Sequence, residues 1–348
     1  RDAEFKKLDQ ALAALEKEKK EIQDRSPITH IQVEKADSPA MANILMRGQY
    51  DQVGEQVEAA APAALHPLKP GTPQNRLGLA QWLNDPGNPL TARVTVNRFW
   101  QEVFGQGIVT TAEDFGIMGA APSHPELLDW LAVEFMESGY DVKRLFKLLL
   151  SSNTYRQSAL TTQEKLEKDP QNALLSRGPR FRMDAEMIRD YVLAASGTLS
   201  AKMGGPGTRP YQPENIWDVV GLPGADTRNY VQDTGENLYR RTVYNFWKRM
   251  AHSPNMDIFN APIREVCTVR RDRTNTPLQA LVTLNDVQFI EAARRLAERL
   301  LLAHGGDTAG MLRELGLRAL GRPLRAQETS ILHDSLGDLL AHYQKHPA

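Results

Sequence analysis

Arginines beside asparagines, carboxylates and aromatic residues are the side chains of this sequence best suited to binding chemistry. Because a guanidinium group presents paired N–H donors, these arginines could hold a planar anion such as carboxylate, sulfate or phosphate. They could equally form structural salt bridges with the many nearby carboxylates. The candidate ligand-binding residues are Arg93, Asn97, Arg98, Arg240, Arg241, Trp247, Arg270, Arg271, Asn285 and Asp286.

Aromatic residues are concentrated in the same part of the chain as several of these arginines. Aromatic rings interleaved with polar residues are typical of a sugar-binding surface, and they are also typical of a small core inside a loop-rich segment. Both interpretations remain open. The residues concerned are Trp217, Tyr230, Tyr239, Tyr244, Phe246 and Trp247.

Metal and nucleophile motifs are weak throughout the sequence. The eight histidines are scattered without metal-ligand spacing, so no metal site and no cofactor are predicted for this chain. The single cysteine, Cys267, excludes an intrachain disulfide, a multi-cysteine zinc site and a C-x-x-C-H haem attachment. Neighbouring arginines could activate its thiol, but a buried, unreactive cysteine is the favoured prediction.

The overall composition excludes several classes of partner. The chain has 348 residues, with 42 Lys and Arg against 43 Asp and Glu, giving a net charge of −1. A balanced charge argues against a nucleic-acid partner. No window approaches 18 uninterrupted apolar residues, so no transmembrane segment is predicted. The chain begins without Met inside a charged helical pattern, and we expect it to be part of a longer protein.

The elements that must position these side chains are mainly helices. Residues 1–26 form an amphipathic helix with a narrow apolar seam at Phe5, Leu8, Leu12, Leu15 and Ile22. Such a seam is typical of a short coiled-coil arm or of a helix packed on its own domain, and the second is favoured. Residues 27–75 are an extended arm with short strands, predicted at 28–33 and 43–46.

Residues 76–322 form a compact helical domain, and 323–348 a C-terminal helix, so the predicted fold class is mainly α. An irregular, partly β insertion interrupts the domain at about 198–262, with turn material at 203–207 and 221–224 and one strand over 240–247. Helices are predicted to begin at Asn88-Pro89, Asp141, Asp184 and Thr276-Pro277, the last running to about Ala303. Ser123 and Glu126 are predicted to form a capping box, which explains the adjacent His124 without catalysis.

Several runs stand in a recognisable order along the chain: Asn88 to Val94, Val96 to Trp100, Asp114 to Gly116, Ser123 to Leu131, Ser152 to Ser158, Glu186 to Asp190, Met203 to Pro206, Thr276 to Leu281 and Leu284 to Asp286. They resemble the C-terminal domain (domain of unknown function 1553) of the large planctomycete and verrucomicrobial proteins called PSD-one, or planctomycete cytochrome-c-domain proteins. The arm segment Met46 to Asp51 also fits, so the resemblance covers roughly residues 40–322.

The resemblance implies an exported setting, periplasmic or at the cell surface, and a haem c domain in a missing upstream part of the parent protein. It supplies no reaction and no catalytic residues. We expect a non-catalytic binding or scaffold module whose partners are other domains or cleaved parts of the parent protein, in an electron-transfer or glycan-processing assembly, with a glycan as a further partner. The alternative is an enzyme acting on a carbohydrate or an anionic derivative through a carboxylate acid/base and arginine clamps.

Two structural features separate these expectations. An enzyme requires a pocket where Arg98, Arg240, Arg270 and Asn285 converge beside a carboxylate of raised pKa. A scaffold requires a large exposed apolar face, which we expect from the N-terminal helix or the arm.

Overall fold

The computed structural model describes residues 2–26, 28–33, 35, 41–218, 224, 228–248 and 252–346. The described residues contain thirteen α-helices and one two-stranded sheet, so the predicted mainly α fold class is confirmed. The chain divides into two compact units, Arg1–Asn88 and Pro89–Ala348. None of the helices in the described ranges combines the length and the apolar character that crossing a bilayer requires.

The first unit holds two helices and a small antiparallel sheet. Its elements are α1 (Asp2–Arg25), β1 (Ala42–Leu45), β2 (Val53–Val57) and α2 (Arg76–Leu83). The sheet pairs Ala42 with Val57 and has an irregular register near its turn. The predicted first helix and second strand are present, whereas residues 28–33 form no strand despite their β-prone composition.

The second unit is built from short and medium helices. These are α3 (Thr91–Phe104), α4 (Pro125–Glu137), α5 (Val142–Ser151), α6 (Asn153–Arg156), α7 (Gln163–Lys168), α8 (Ala185–Ser196), α9 (Pro254–Ile258), α10 (Pro277–Asn285), α11 (Val287–His304), α12 (Thr308–Leu320) and α13 (Ala326–Lys345).

Two apolar clusters hold this unit together. The larger one joins α3, α4 and α5 through buried residues that include Val96, Leu131 and Leu145. Within it the rings of Trp100 and Phe104 stack at a centroid distance of 4.0 Å. The smaller cluster joins the start of α8 to α9 and the turn after it, through Ala185, Met256, Phe259 and Ala261.

Several helix ends lie where the sequence predicts them, because their capping chemistry is local. The Asp141 side chain accepts a hydrogen bond from the Arg144 backbone N–H and begins α5. Thr276 and Gln279 form a capping box at the start of α10. Gly197 ends α8 at a φ of 77°, a left-handed conformation that glycine adopts without strain.

Two predicted caps are wrong. No side chain caps α4: His124 occupies the N-cap position, and the Ser123 hydroxyl instead contacts the neighbouring His124 ring nitrogen at 3.0 Å. The predicted capping box of Ser123 and Glu126 is therefore absent. Helix α3 begins at Thr91 rather than at Asn88-Pro89, because the Asn88 backbone N–H closes the preceding turn by donating to the Asp85 carbonyl.

The insertion is irregular, as predicted, but its strand is not formed. Residues 235–239 and 242–244 are short 3₁₀ helices. The β-like contacts among the described residues here are two isolated parallel bridges, Ser200 with Arg240 and Thr208 with Asn245. The turn predicted at 221–224 lies almost wholly outside the described residues. The helix predicted from Thr276 to Ala303 is divided at Asp286, which ends α10 and caps α11.

Candidate functional site

Arg240 is a buried structural residue. Its side chain is 1% exposed and donates to the carbonyls of Lys202, Gly204 and Pro206. Its guanidinium carbon lies 3.9 Å from the centroid of the Tyr244 ring. Its Nη1 and Nη2 donors thus fix the glycine-rich loop at 202–206, whereas its buried Nε has no hydrogen-bond partner among the residues that the structure describes.

Arg189 of α8 belongs to the same group of arginines in the sequence, although it was not among the candidate ligand-binding residues, and it holds the same insertion in place. It is 3% exposed and donates to the carbonyls of Leu238 and Arg240, both at 2.8 Å, and to Gln288 Oε1 at 2.6 Å. Burial lowers its pKa to about 10. The signal was present in the sequence, because the spacing from Ala185 through Arg189 to Leu193 places Arg189 on the buried face of α8.

Arg241 is an exposed residue with a local partner. Its Nε lies 3.4 Å from Asp190 Oδ2, and the other oxygen of Asp190 accepts from the Thr242 backbone and hydroxyl. This arrangement closes the turn at the 3₁₀ segment. It does not present an anion clamp.

The arginines after α9 pair with carboxylates at the start of α8. Arg271 Nη1 lies 2.5 Å from Glu186 Oε2, and Arg273 Nε lies 3.2 Å from Asp184 Oδ1. Arg270 is more exposed and lies 3.9 Å from Glu113. The predicted clamp residues Arg270 and Arg271 therefore have carboxylate partners within the chain.

Glu102 lies near this ionic cluster and has a perturbed carboxyl group. Partial desolvation raises the pKa of Glu102 above its ordinary value, and the charge of Asp184 raises it further. The nearby Arg273, Arg271 and Arg98 oppose that shift. Glu102 was not among the residues predicted from the sequence, since a single exposed glutamate on a helix carries no distinguishing pattern.

The three candidates on α3 have different surroundings. Arg93 Nε donates to Asp129 at 2.5 Å. Asn97 is fully buried, where it accepts from the Val109 backbone N–H at 2.8 Å and donates to the Val109 carbonyl at 3.0 Å. Arg98 is exposed. Asn97 is therefore part of the core that joins α3 to the following loop.

Trp247 lies in a small stack of rings and cations. Its indole is parallel to the His252 ring at a centroid distance of 5.7 Å, and the Arg264 guanidinium lies 4.4 Å from the Trp247 ring centroid. Trp247 also packs against the smaller apolar cluster. These contacts use the Trp247 ring within the fold.

Asn285 and Asp286 line a groove beside α10. Asn285 Nδ2 donates to the Leu281 carbonyl at 2.9 Å. Asp286 accepts from the Gln288 backbone N–H at 3.0 Å and from Asn255 Nδ2 at 3.2 Å. The groove has a volume of about 280 Å³ and mainly apolar walls, which include Tyr211, Pro213, Pro254, Ile258, Leu281 and Val282.

An exposed apolar face adjoins this groove. Leu278, Leu281 and Leu284 of α10 are 55–69% exposed. Val287 and Ile290 in the first turns of α11 are exposed as well. This exposed set, together with the groove, is called the α10 face below. Large exposed apolar patches are typical of surfaces that bind other proteins.

The convergence that an enzyme requires is not observed. Arg98, Arg240, Arg270 and Asn285 have separate surroundings, and no contact in the described part of the chain joins any two of them.

Cys267 was predicted to be buried, and this prediction is wrong because the residue is exposed. Among the described residues, no group of three or more His, Cys, Asp or Glu side chains is placed to hold a metal ion.

Comparison with known proteins adds a family match. A family model described as "PSD1: Protein of unknown function (DUF1553)" matches residues 75–336, well over half of the chain. The matched range contains every candidate residue discussed above and the whole of the α10 face. No curated protein and no solved structure matches the chain.

Proposed function

The chain belongs to the PSD1 (DUF1553) family of proteins of unknown function, and we propose that it is a non-catalytic scaffold module of an exported multidomain bacterial protein. The observation that carries the proposal is the α10 face, where exposed leucines adjoin a mainly apolar groove. Burying about three leucine side chains in a partner would stabilise a complex by several kcal/mol, at roughly 1.5–3 kcal/mol for each fully buried side chain.

The roles of the arginines support the same conclusion. Arg189 and Arg240 are buried and bind backbone carbonyls, and Arg271 binds Glu186. Residues used in this way hold the insertion in place and leave few donors for a substrate.

The proposed partner is another domain or a cleaved part of the parent protein. An exported setting, in the periplasm or at the cell surface, follows from the family resemblance. So does an assembly that transfers electrons through a haem c carried upstream, or that processes glycans. These features are proposed together with the scaffold role.

The experiment is co-purification from the cells that produce the protein. A tagged chain carrying Leu281→Asp and Leu284→Asp is compared with wild type and with Leu302→Asp, an exposed leucine on α11 outside the face. Wild type and the control should retain a stoichiometric partner, whereas the double variant should lose it. Retention by all three chains, or no stoichiometric partner for wild type, would contradict the proposal.

A second candidate function is an enzyme acting on a carbohydrate or an anionic derivative. The observation that favours it is Glu102, whose raised pKa and arginine neighbours match a general acid beside an anion site.

Its test is incubation of the purified chain with a panel of neutral and acidic polysaccharides, with measurement of released reducing ends. The scaffold proposal expects no release above a heat-denatured control. Release that Glu102→Gln abolishes would establish the enzyme instead.

A further inference from the structure

Helix α1 carries a heptad pattern on an exposed face, interrupted at one a position by Lys19. Phe5 and Leu12 occupy a positions, and Leu8, Leu15 and Ile22 occupy d positions, of a seam that runs from Phe5 to Ile22. These five side chains are 43–68% exposed, and α1 contains no buried residue. This exposure within the first unit fits the alternative prediction of a short coiled-coil arm.

The positions that flank this seam are strongly acidic. Of the e and g positions from Asp2 to Gln23, five are carboxylates and none is basic: Asp2, Glu4, Asp9, Glu16 and Glu18. Arg25, in the last turn, is the basic exception. The lysines lie mostly on the outer face, at Lys6, Lys7, Lys17 and Lys20.

A second copy of α1 is a poor partner in either orientation. A parallel pair places Glu4 opposite Asp9 and sets Lys19, at an a position, against its own copy. An antiparallel pair places Asp9 opposite Glu16. Like charges at these positions destabilise a coiled coil and select against self-pairing.

We propose that α1 binds an amphipathic helix with apolar a and d residues and with Lys or Arg at its e and g positions. Such a helix covers the exposed seam and pairs its basic edges with the carboxylates of α1 in either orientation. The inference rests on the proposed scaffold role and deepens it by naming a partner class. It concerns a surface in a different unit from the α10 face.

The experiment uses the whole chain and two synthetic peptides, each four heptads long with Leu at every a and d position. One peptide has Lys and the other Glu at all e and g positions. Binding is measured by fluorescence anisotropy at low and high salt. The Lys peptide should bind at least about tenfold more tightly at low salt, and the difference should shrink as salt screens the edges.

Matched variants locate the binding on α1. Leu12→Gln, at an a position, should abolish binding, whereas Ala13→Gln, on the outer face, should leave it unchanged. Exchanging the edge charges with Asp9→Lys and Glu16→Lys should weaken binding of the Lys peptide and strengthen that of the Glu peptide. Circular dichroism confirms that each variant keeps its helix content.

Three results would overturn the inference: equal binding of the two peptides, no binding of either, or a dimer of the chain that Leu12→Gln dissociates. The α10-face double variant should bind the Lys peptide normally. Failure of peptide binding with an intact co-purification result therefore rejects the partner of α1 alone, and the reverse pattern rejects the role of the α10 face alone.

Discussion

Buried guanidinium groups in this protein hold backbone carbonyls in place. Arg189 donates to the carbonyls of Leu238 and Arg240, and Arg240 in turn donates to carbonyls of the loop at 202–206. A sequence pattern of arginines near carboxylates and aromatic rings fits an anion site and a structural network equally well. An anion site and a structural network are distinguished by how deeply each arginine is buried and by which acceptors its N–H groups reach. Residue types alone give neither.

Because Arg189 holds the insertion in place through backbone carbonyls, replacing Arg189 should cause a large loss of stability. Arg189→Met leaves the buried carbonyls of Leu238 and Arg240 without these donors, so the free energy of unfolding should fall by about 3 kcal/mol. Arg241→Ala removes one exposed ion pair and should cost less than about 1 kcal/mol. Urea denaturation measures both values. Similar losses for the two variants would contradict the assigned roles.

Replacing Glu102 should increase the stability of the protein to an extent that depends on pH. Because its pKa is raised above the ordinary value of 4.5, the folded state penalises the ionised carboxylate, and stability falls as pH rises through the raised pKa. Glu102→Gln should therefore increase the free energy of unfolding at pH 7. The gain should disappear below about pH 4.5, where both states are protonated. Denaturation at the two pH values tests this, and a loss of stability at pH 7 would show that the arginines outweigh desolvation.

At the scale of elements, the sequence predicted most helices because their signals are local. Asp141, Asp184 and Thr276 precede amphipathic runs, and glycines end α3 and α8. Ser123 and Glu126 show the same pattern but no capping box, since the Ser123 hydroxyl contacts the neighbouring imidazole. A capping motif thus predicts a helix start more reliably than it predicts the hydrogen bonds there.

The two capping motifs predict different costs of substitution. Thr276→Ala removes an N-cap acceptor and should lower the free energy of unfolding by about 1 kcal/mol. Ser123→Ala removes no cap and should change it by less than about 0.5 kcal/mol. Thermal unfolding of the two variants side by side distinguishes them, and a larger effect at Ser123 would reverse the assignment.

The insertion was the element least accessible to sequence reasoning. Its bridges join Ser200 to Arg240 and Thr208 to Asn245, residues far apart along the chain. The β-prone run at 240–247 pairs with other backbone segments at only two bridges among the described residues. Its conformation therefore depends on the side-chain contacts of the arginines. Long-range side-chain contacts of this kind have no periodic signature.

At the scale of the whole molecule, the main findings concern surfaces rather than a pocket. The sequence shows where leucines recur on α1 and α10, but it cannot show which of them the fold leaves uncovered. The structure leaves the apolar seam of α1 and the α10 face exposed. Two apolar surfaces on two compact units suit a protein that joins other domains.

The most direct test of the scaffold role is photo-crosslinking in the cells that produce the protein. A benzophenone amino acid is placed at position 284, on the α10 face, or at position 302 as the exposed control. The scaffold role predicts a single dominant crosslinked protein from position 284, absent from position 302 and lost when Leu281→Asp is added. Equal crosslinking from the two positions, or none from position 284, would contradict it.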